Sequence, residues 1–421
     1  MKSAILVLLI ISVSGAMSLS ATIRQSISRD PSVRLLKKEI IMSRLDTDMV
    51  SASYAPKIDI SSFVGLERSQ TPANEGKAKN SVIKNIDITG NYNLFSGHKE
   101  SFEMKEKIEY TKLAKNKLLE KKITLAKEVS VYYLEVLKKY YIYREYIKSV
   151  KKYRKLLSKM SKMVKVGGGK DSDLVQTRAR MNFEQTSMLL AKQEYRQALL
   201  MLEKYIGRKL NIRGMKRPKI GKLPSLKHLI NKVKRYNTSL GALLLQKNIL
   251  NHRIGIEKSN LYPTIDLKAQ GSISSNQFGI RGINKNVRIV VAAKYRLYDG
   301  GATNLAIEKA RLKVLRMSDA IQNAQREIVA NIKNMYIKYK LYKERIHIIN
   351  QHISNAKKAE KLYTKEEEET GGRSIVDILN IQREYSSAKI AKIDSKYTAM
   401  QIYFELLGST PDILKTFHIY R

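Results

Sequence analysis

The segments that decide the fold are Tyr54-Ala55-Pro56-Lys57-Ile58-Asp59-Ile60 and Leu261-Tyr262-Pro263-Thr264-Ile265-Asp266-Leu267. They are similar in sequence, and their prolines lie 207 positions apart. Four more pairs of short segments recur in the same order at nearly the same spacing: residues 30–33 with 237–240, 94–97 with 297–300, 173–174 with 377–378, and 205–207 with 406–408. Because solenoid repeats have periods of only ~20–50 residues, this long period indicates a duplicated unit of about two hundred residues.

Each quoted segment opens a pair of predicted strands, at about 57–66 and 82–95 in the first unit and about 263–273 and 286–298 in the second. In the second strand, apolar side chains alternate with polar ones at every other position. The apolar set is Ile86, Ile88, Tyr92 and Leu94, and the polar set is Asp87, Thr89, Asn91 and Asn93. Such strands suit either a transmembrane barrel with a wet lumen or a soluble hairpin half-buried on a helix.

The N-terminus favours the barrel, because residues 1–21 have the pattern of a secretory signal peptide. Lys2 is followed by an apolar run over residues 4–11 and then by a series of small residues. Cleavage can follow Ala16, Ser20 or Ala21, and a buried N-terminal helix is the alternative interpretation. The chain has no cysteine, so we expect no disulfide, no thiolate metal site and no lipidated N-terminal cysteine.

Helices account for most of the remaining chain. Residues 22–52 are predicted as one helix, and long helices are predicted over about 98–165 and about 301–368. Apolar residues in the long helices recur at steps of four and three, as in a coiled-coil seam. The first seam is Val129, Tyr133, Val136, Tyr140, Tyr143, Ile147 and Val150; the second is Ile328, Ile332, Met335, Tyr339, Tyr342, Ile346 and Ile349. At ~1.5 Å per residue each long helix measures ~100 Å and can pair with two half-length helices end to end.

Glycines mark the turns between these elements. Gly97, Gly300 and Gly301 lie between strand and long helix, whereas Gly167, Gly168, Gly169, Gly371 and Gly372 end the long helices at hairpin tips. The expected plan is a first repeat over 22–204, a mid-height equatorial connection over 205–224, a second repeat over 225–408 and a tail over 409–421. The predicted fold class is mainly α with a small β part.

The charge and the histidines exclude some functions and leave others open. With 79 Lys and Arg against 38 Asp and Glu, the formal charge is +41, which admits a coiled-coil nucleic-acid binder. An envelope coiled-coil structural or adaptor protein is a further alternative. His347 and His352 are five positions apart, so a helix turns them to different faces. We find no catalytic or nucleotide-binding motif, and we expect no enzyme activity, no cofactor and no metal.

The signal peptide, the doubled order of helix, strand pair, long helix, turn and helix, and the strand exit Leu297-Tyr298-Asp299-Gly300-Gly301 together resemble the TolC family of outer-membrane ducts. The resemblance covers nearly all of residues 22–410. It implies a homotrimer that pools four strands per chain into a twelve-stranded barrel in outer-membrane lipid. It also implies a helical tunnel through the periplasm, which meets an inner-membrane pump through a periplasmic adaptor. Drug efflux and type I secretion both fit, and nucleic acid is not an expected partner.

The second hairpin tip, Gly372-Arg373-Ser374-Ile375-Val376-Asp377-Ile378-Leu379, is similar to a Gly-x-Arg-Thr-Ile-Val-Asp-Val-Leu pattern of that family. The resemblance implies that Arg373 ties this tip to Asp173 and Ser172 of the first tip and holds the entrance shut. It also implies an entrance ring of Asp377, made less acidic by Asn380, where some members have a second Asp. The alternatives are that Asp377 only caps its helix and that Arg373 is a solvated turn residue.

Overall fold

The structure is a computed structural model that describes residues 17–72, 75–370 and 374–419. Its elements follow the duplication. The first repeat contains α1 (Leu19–Arg29), α2 (Pro31–Ser53), β1 (Lys57–Ser69), β2 (Lys79–Phe95), α3 (Lys99–Lys165) and α4 (Asp171–Ile206). The second contains α5 (Leu226–Tyr236), α6 (Thr238–Ser259), β3 (Thr264–Ser275), β4 (Ile283–Lys294), α7 (Ala302–Thr370) and α8 (Ile375–Leu407), and α9 (Asp412–Thr416) follows. The expectation of a mainly helical chain with four strands is confirmed.

The chain divides into two compact units. One comprises residues 1–35, 118–238 and 325–421, and the other comprises residues 36–117 and 239–324. Within the described residues, no helix combines the length and the apolar character that crossing a bilayer would need.

The second unit contains an antiparallel sheet with the order β1-β2-β3-β4. Its register pairs Ile60 with Ile88, Tyr92 with Leu267, and Leu267 with Val291. Because side chains alternate along a strand, this register collects most apolar positions of the four strands on one face and most polar positions on the other. The apolar side chains stay uncovered in the chain, with Leu66 87% exposed.

Polar side chains bond to one another across the opposite face of the sheet. Asn93 Nδ2 donates to Asp266 Oδ1 at 2.8 Å, and an Arg288 guanidinium nitrogen donates to Gln270 Oε1 at 2.7 Å. The two faces therefore differ in chemistry, as expected for strands between lipid and water.

The register also corrects the predicted end of the last strand. Alternation predicts a strand over 286–298, whereas β4 ends at Lys294. Lys294 pairs with Thr264, the first residue of β3, so no partner residue is available beyond it. Alternation continues in the sequence to Leu297, but hydrogen bonding ends with the shorter partner strand.

The single helix predicted over 22–52 is also wrong, because it is two helices that meet at Asp30. Pro31 has no N–H and favours the first position of a helix. The Asp30 carboxylate accepts hydrogen bonds from the backbone N–H groups of Ser32 and Val33 at 2.7 and 3.2 Å, which caps the new helix. The duplicate position, Asn237, has the same extended backbone and separates α5 from α6.

The first unit has a core made by one half of each long helix and the helices beside it. The seam positions Val129, Tyr133 and Val136 are fully buried there, with Ile332 and Tyr339 from α7 in the same cluster. Ile147, a predicted seam position, is 38% exposed. Val150, the next seam position toward the tip, is again buried at 5% exposure, so Ile147 is a local interruption of the seam.

At one position in the second unit, both a close contact and the backbone conformation require glycine. Gly97, between β2 and α3, has a φ of +65°. A Cβ there would lie 2.5 Å from the Ser259 carbonyl oxygen and 2.9 Å from Tyr262 Cβ. The strand-to-helix turn thus packs directly against the end of α6, where only glycine fits.

We expect Gly97→Ala to lower the free energy of unfolding by about 3 kcal/mol, because steric overlap adds to the cost of the left-handed backbone. The matched control is Gly300→Ala, with a φ of +68° but no atom within 4 Å of the added Cβ, where the loss should be about 1 kcal/mol. Denaturant titration of the purified variants measures both values. Equal losses would contradict the contact.

Candidate functional site

The first hairpin tip is closed by a glycine turn after α3. Gly167 has a φ of +75°, its N–H donates to the Val164 carbonyl, and the Gly168 N–H donates to the Met163 carbonyl at 2.9 Å. This pair of bonds is a Schellman motif, which satisfies the last carbonyls of the helix and reverses the chain. Gly169 completes the turn, and α4 starts at Asp171. Ser172 is exposed and Asp173 is half-buried in its first turn.

The second tip is described from Ser374 onward, and Arg373, Gly371 and Gly372 lie outside the described residues. Ser374 caps α8, because its hydroxyl accepts a hydrogen bond from the Val376 N–H at 3.2 Å. Asp377 is half-buried in the first turn of α8, where a carboxylate interacts favourably with the helix dipole. Asn380 is exposed on the same helix.

One apolar cluster contains residues from both tips. Met160 of α3 and Ile375 and Ile378 of α8 are buried in it, with Leu174 of α4 and Tyr363 of α7 packed against them. Asp173 and Asp377 each precede a member of this cluster in sequence. The structure therefore brings the two predicted tip carboxylates to the margin of one cluster.

Two ion pairs join the long helices near the tips, and the sequence analysis missed them. Lys152 Nζ lies 2.7 Å from Glu360 Oε1, and Lys159 Nζ lies 2.7 Å from Glu367 Oε2. Both pairs span 208 positions, close to the duplication offset, and both lysines and both glutamates are one heptad apart. These are the flanking ion pairs typical of a coiled coil, and the coincidence of spacing was the signal that could have identified them.

A second set of contacts attaches α8 to α3. Lys152 also donates to Gln382 Oε1 at 3.1 Å, and the Tyr153 hydroxyl donates to the Leu379 carbonyl at 3.2 Å. Burial raises the pKa of Tyr153 to about 12, so the hydroxyl keeps its proton and remains a donor. The Tyr385 ring packs between Lys152 and Lys389, whose ammonium groups lie 4.9 and 4.6 Å from its centre.

The strand-to-helix turn of the second repeat has its own cap. Asp299 Oδ1 accepts from the Gly301 N–H at 3.0 Å, and Oδ2 accepts from the Thr303 N–H at 2.9 Å. Hydrogen bonds from Thr303, with a further one from Gly301, hold the pKa of the Asp299 carboxyl below its usual value. Gly300 and Gly301 both have positive φ values and allow the chain to enter α7 behind this cap.

The chemistry of these tips is electrostatic and conformational. Among the described residues, no group of three or more His, Asp or Glu side chains could hold a metal ion. Near the tips, ionic and polar links join α3 to α7 and to α8, and an apolar cluster adds a contact from α4.

A comparison with models of known protein families shows which family the chain belongs to. The family model of outer membrane efflux proteins matches residues 22–208 and 229–409. The chain belongs to the outer membrane efflux protein family. This is the family that the sequence resemblance indicated, and the two matched ranges follow the two repeats. Members of the outer membrane efflux protein family are channel proteins, and both the family and the fold are those of channels.

A curated relative matches at low sequence identity. The proteases secretion protein PrtF of Dickeya chrysanthemi is 21% identical over 265 residues, which cover 60% of this chain and 57% of PrtF. The chain thus spans little more than half the length of that curated relative.

Solved structures share the fold at low identity. The outer membrane protein VceC of Vibrio cholerae superposes with a TM-score of 0.79 at 13% identity, over 93% of this chain and 95% of VceC. The outer membrane channel CmeC of Campylobacter jejuni superposes with a TM-score of 0.78 at 13% identity, over 93% of this chain and 85% of CmeC. The open-state channel MtrE of Neisseria gonorrhoeae superposes with a TM-score of 0.77 at 14% identity, over 93% of this chain and 88% of MtrE.

We expect Lys159→Glu to loosen the first tip, because it sets two carboxylates against each other, at a cost of about 1 kcal/mol for a partly exposed pair. Hydrogen exchange of the backbone amides over 156–165 measures the loss of protection. The double variant Lys159→Glu/Glu367→Lys should recover it.

The control for this pair is Lys365→Glu, which opposes Glu369 within α7, where both side chains are more than half exposed. It should change exchange at the first tip little. A loss that the double variant fails to recover would show that Lys159 does not act through Glu367.

Proposed function

We propose that this chain is the outer-membrane duct of a tripartite efflux or type I secretion system. The observation that carries the proposal is the register of the sheet, which gives one mainly apolar face and one mainly polar face. Lipid would contact the apolar face and water the polar face. Family membership and the shared channel fold support the same function. Transport through such a duct is passive, and a partner pump supplies the energy.

The proposal includes assembly of three copies. About eight strands are the fewest that form a small filled barrel, and an aqueous pore needs more. β1 and β4 are the edges of the four-stranded sheet, so edge strands of neighbouring copies can pair. Three copies would supply twelve strands in outer-membrane lipid. A periplasmic adaptor and an inner-membrane pump complete the system.

We further propose that the tips are the periplasmic gate. Arg373 would bind Asp173 and Ser172, and three copies of Asp377, with Asn380 nearby, would form the entrance ring. A ring of carboxylates favours cations. The α3–α7 ion pairs, Lys152–Glu360 and Lys159–Glu367, support this role, because opening would require the helices to separate where these pairs hold them.

The cargo is small molecules or proteins. The PrtF name refers to protease secretion, which supports a protein cargo without excluding efflux of small molecules. Deletion of the gene separates the two: loss of a secreted protein from the medium indicates secretion, and a lowered inhibitory concentration of antibiotics indicates efflux.

We propose that the N-terminal segment is a signal peptide, and contacts of residues 17–20 support one of its cleavage points. Leu19 is 3% exposed in the core, and the Ser20 hydroxyl donates to the Phe417 carbonyl at 3.1 Å. The Met17 carbonyl lies 3.1 Å from the Tyr133 hydroxyl. Cleavage after Ser20 or Ala21 would remove these contacts, whereas cleavage after Ala16 would leave them intact and has small residues at Ser14 and Ala16.

We therefore expect the mature protein to begin at Met17. Intact mass and N-terminal sequencing of the protein purified from outer membranes measure this directly. A mature chain that begins at Ala21 or Thr22 would contradict the proposed site, and an uncleaved chain would contradict the signal peptide.

We expect Arg373→Ala to raise single-channel conductance in planar bilayers by about twofold or more, because the tip would lose its ionic link and widen. Asp173→Ala should have the same effect, and the double variant should add nothing. Arg383→Ala, at an exposed position of α8, is the matched control and should conduct like the wild type.

Each outcome of the conductance measurement decides one part of the proposal. Equal conductance in wild type and Arg373→Ala would keep the duct and remove the lock. Absence of channels from folded protein, together with absence of heat-resistant trimers in outer-membrane fractions, would favour an envelope coiled-coil protein instead.

A further inference from the structure

A large open cavity lies in the first unit, away from the tip turns. Its volume is about 1030 Å³. Its walls are the extended segment 217–220, the residues 339–350 of α7 and the residues 392–400 of α8, with Tyr141 of α3 at the edge. Pockets for small ligands commonly measure ~300–1,000 Å³, so its size admits a small molecule.

The charged side chains that line the cavity are all cationic. Five basic residues line it, and no Asp or Glu does: Arg217, Lys219, Lys343, Lys392 and Lys396. In the part of the chain that the structure describes, none of the five forms an ion pair with a carboxylate. The one acidic residue between the two lysines of α8, Asp394, lies 3.7 Å from Lys138 instead.

Nearby lysines on α3 behave differently, although the whole chain is basic. Lys138 lies 2.8 Å from Glu135, and Lys139 lies 2.8 Å from Glu194. Because Lys and Arg outnumber Asp and Glu by 79 to 38, many basic residues lack a carboxylate partner, and the lack of one does not by itself mark a site. The five cavity cations come from three segments and line one concave surface, which strengthens the local positive potential.

The two lysines of α8 are half-buried. Partial burial lowers the pKa of the Lys396 ammonium, and the charges of Arg217 and Lys392 lower it further. The protein thus keeps the Lys396 ammonium partly desolvated and close to two other cations. A bound anion would offset their repulsion with its opposite charge.

The floor of the cavity adds a second property. It is apolar, with Ile220, Ile346, Ile393 and Met400. Burial raises the pKa of the Tyr397 hydroxyl in the same wall, so this group stays neutral. Phosphate groups match the several donors of Arg and Lys better than a single carboxylate does.

We propose that this cavity binds a small multivalent anion of the phosphate class, held by Arg217, Lys219, Lys343, Lys392 and Lys396 over an apolar floor. The site is separate from the gate that the tips would form. Ligand occupancy would tie the segment 217–220 to α7 and α8.

Calorimetric titration of the full-length protein with pyrophosphate, at constant ionic strength, tests the proposal. We expect saturable binding, weakened about tenfold or more in Arg217→Gln/Lys396→Gln, since each lost charge-assisted contact is strong. Lys333→Gln, at an exposed position of α7 outside the cavity, should bind within about twofold of the wild type. Equal weakening in both variants would overturn the site and leave only non-specific attraction to a basic protein.

Acylation of lysines, read by peptide mass spectrometry, is a second readout that needs no variant. Because its pKa is lowered, Lys396 has more neutral amine than an ordinary lysine and should react readily. Pyrophosphate should protect Lys392 and Lys396 but not Lys333. Uniform protection, or none, would overturn the proposal even if the variants proved unstable.

Discussion

The cross-strand register of β1–β4 is the constraint on which the rest depends. A shift of one residue in any strand would place its apolar side chains among the polar ones and destroy both faces. The register is fixed at the strand ends, where Gly97 packs against the end of α6 and Asp299 caps α7. With the register fixed, the sheet has a large apolar face that one chain cannot cover, with Val287 82% exposed. In a family of channel proteins, such an apolar face is the one that would contact lipid.

The duplication made most of the fold predictable. Each short sequence pattern occurs in both repeats, so the second occurrence supports the first. The long helices, the strand pairs and the glycine turns could therefore be predicted. The helix break at Asp30 was missed, although residues 30–33 and 237–240 had been recognised as equivalent. A capping aspartate before proline is a local signal, and apolar periodicity alone does not detect it. The end of β4 was missed for a different reason, because it depends on the length of a partner strand.

The candidate site was less predictable than the fold. Tip residues such as Asp173 and Asp377 could be selected from a motif, and the structure brings them to one apolar cluster. Lys159 and Glu367 could be paired only by aligning two helices 208 positions apart. The cationic cavity was beyond sequence reasoning, since five scattered basic residues in a chain of charge +41 carry no distinguishing pattern. Their placement around one cavity and the absence of lining carboxylates distinguish them, and both are properties of tertiary structure.

The contact between Ser20 and the Phe417 carbonyl joins residues 397 positions apart. Contacts of such high sequence separation form late, because the loop they close must be ordered first. In the proposed N-terminus-first export, residues near 20 would leave the inner membrane before those near 417. The core around Leu19 would stay incomplete during that interval, and its apolar residues would remain accessible. Periplasmic chaperones would then have a binding site, which arrival of the segment near 417 would remove.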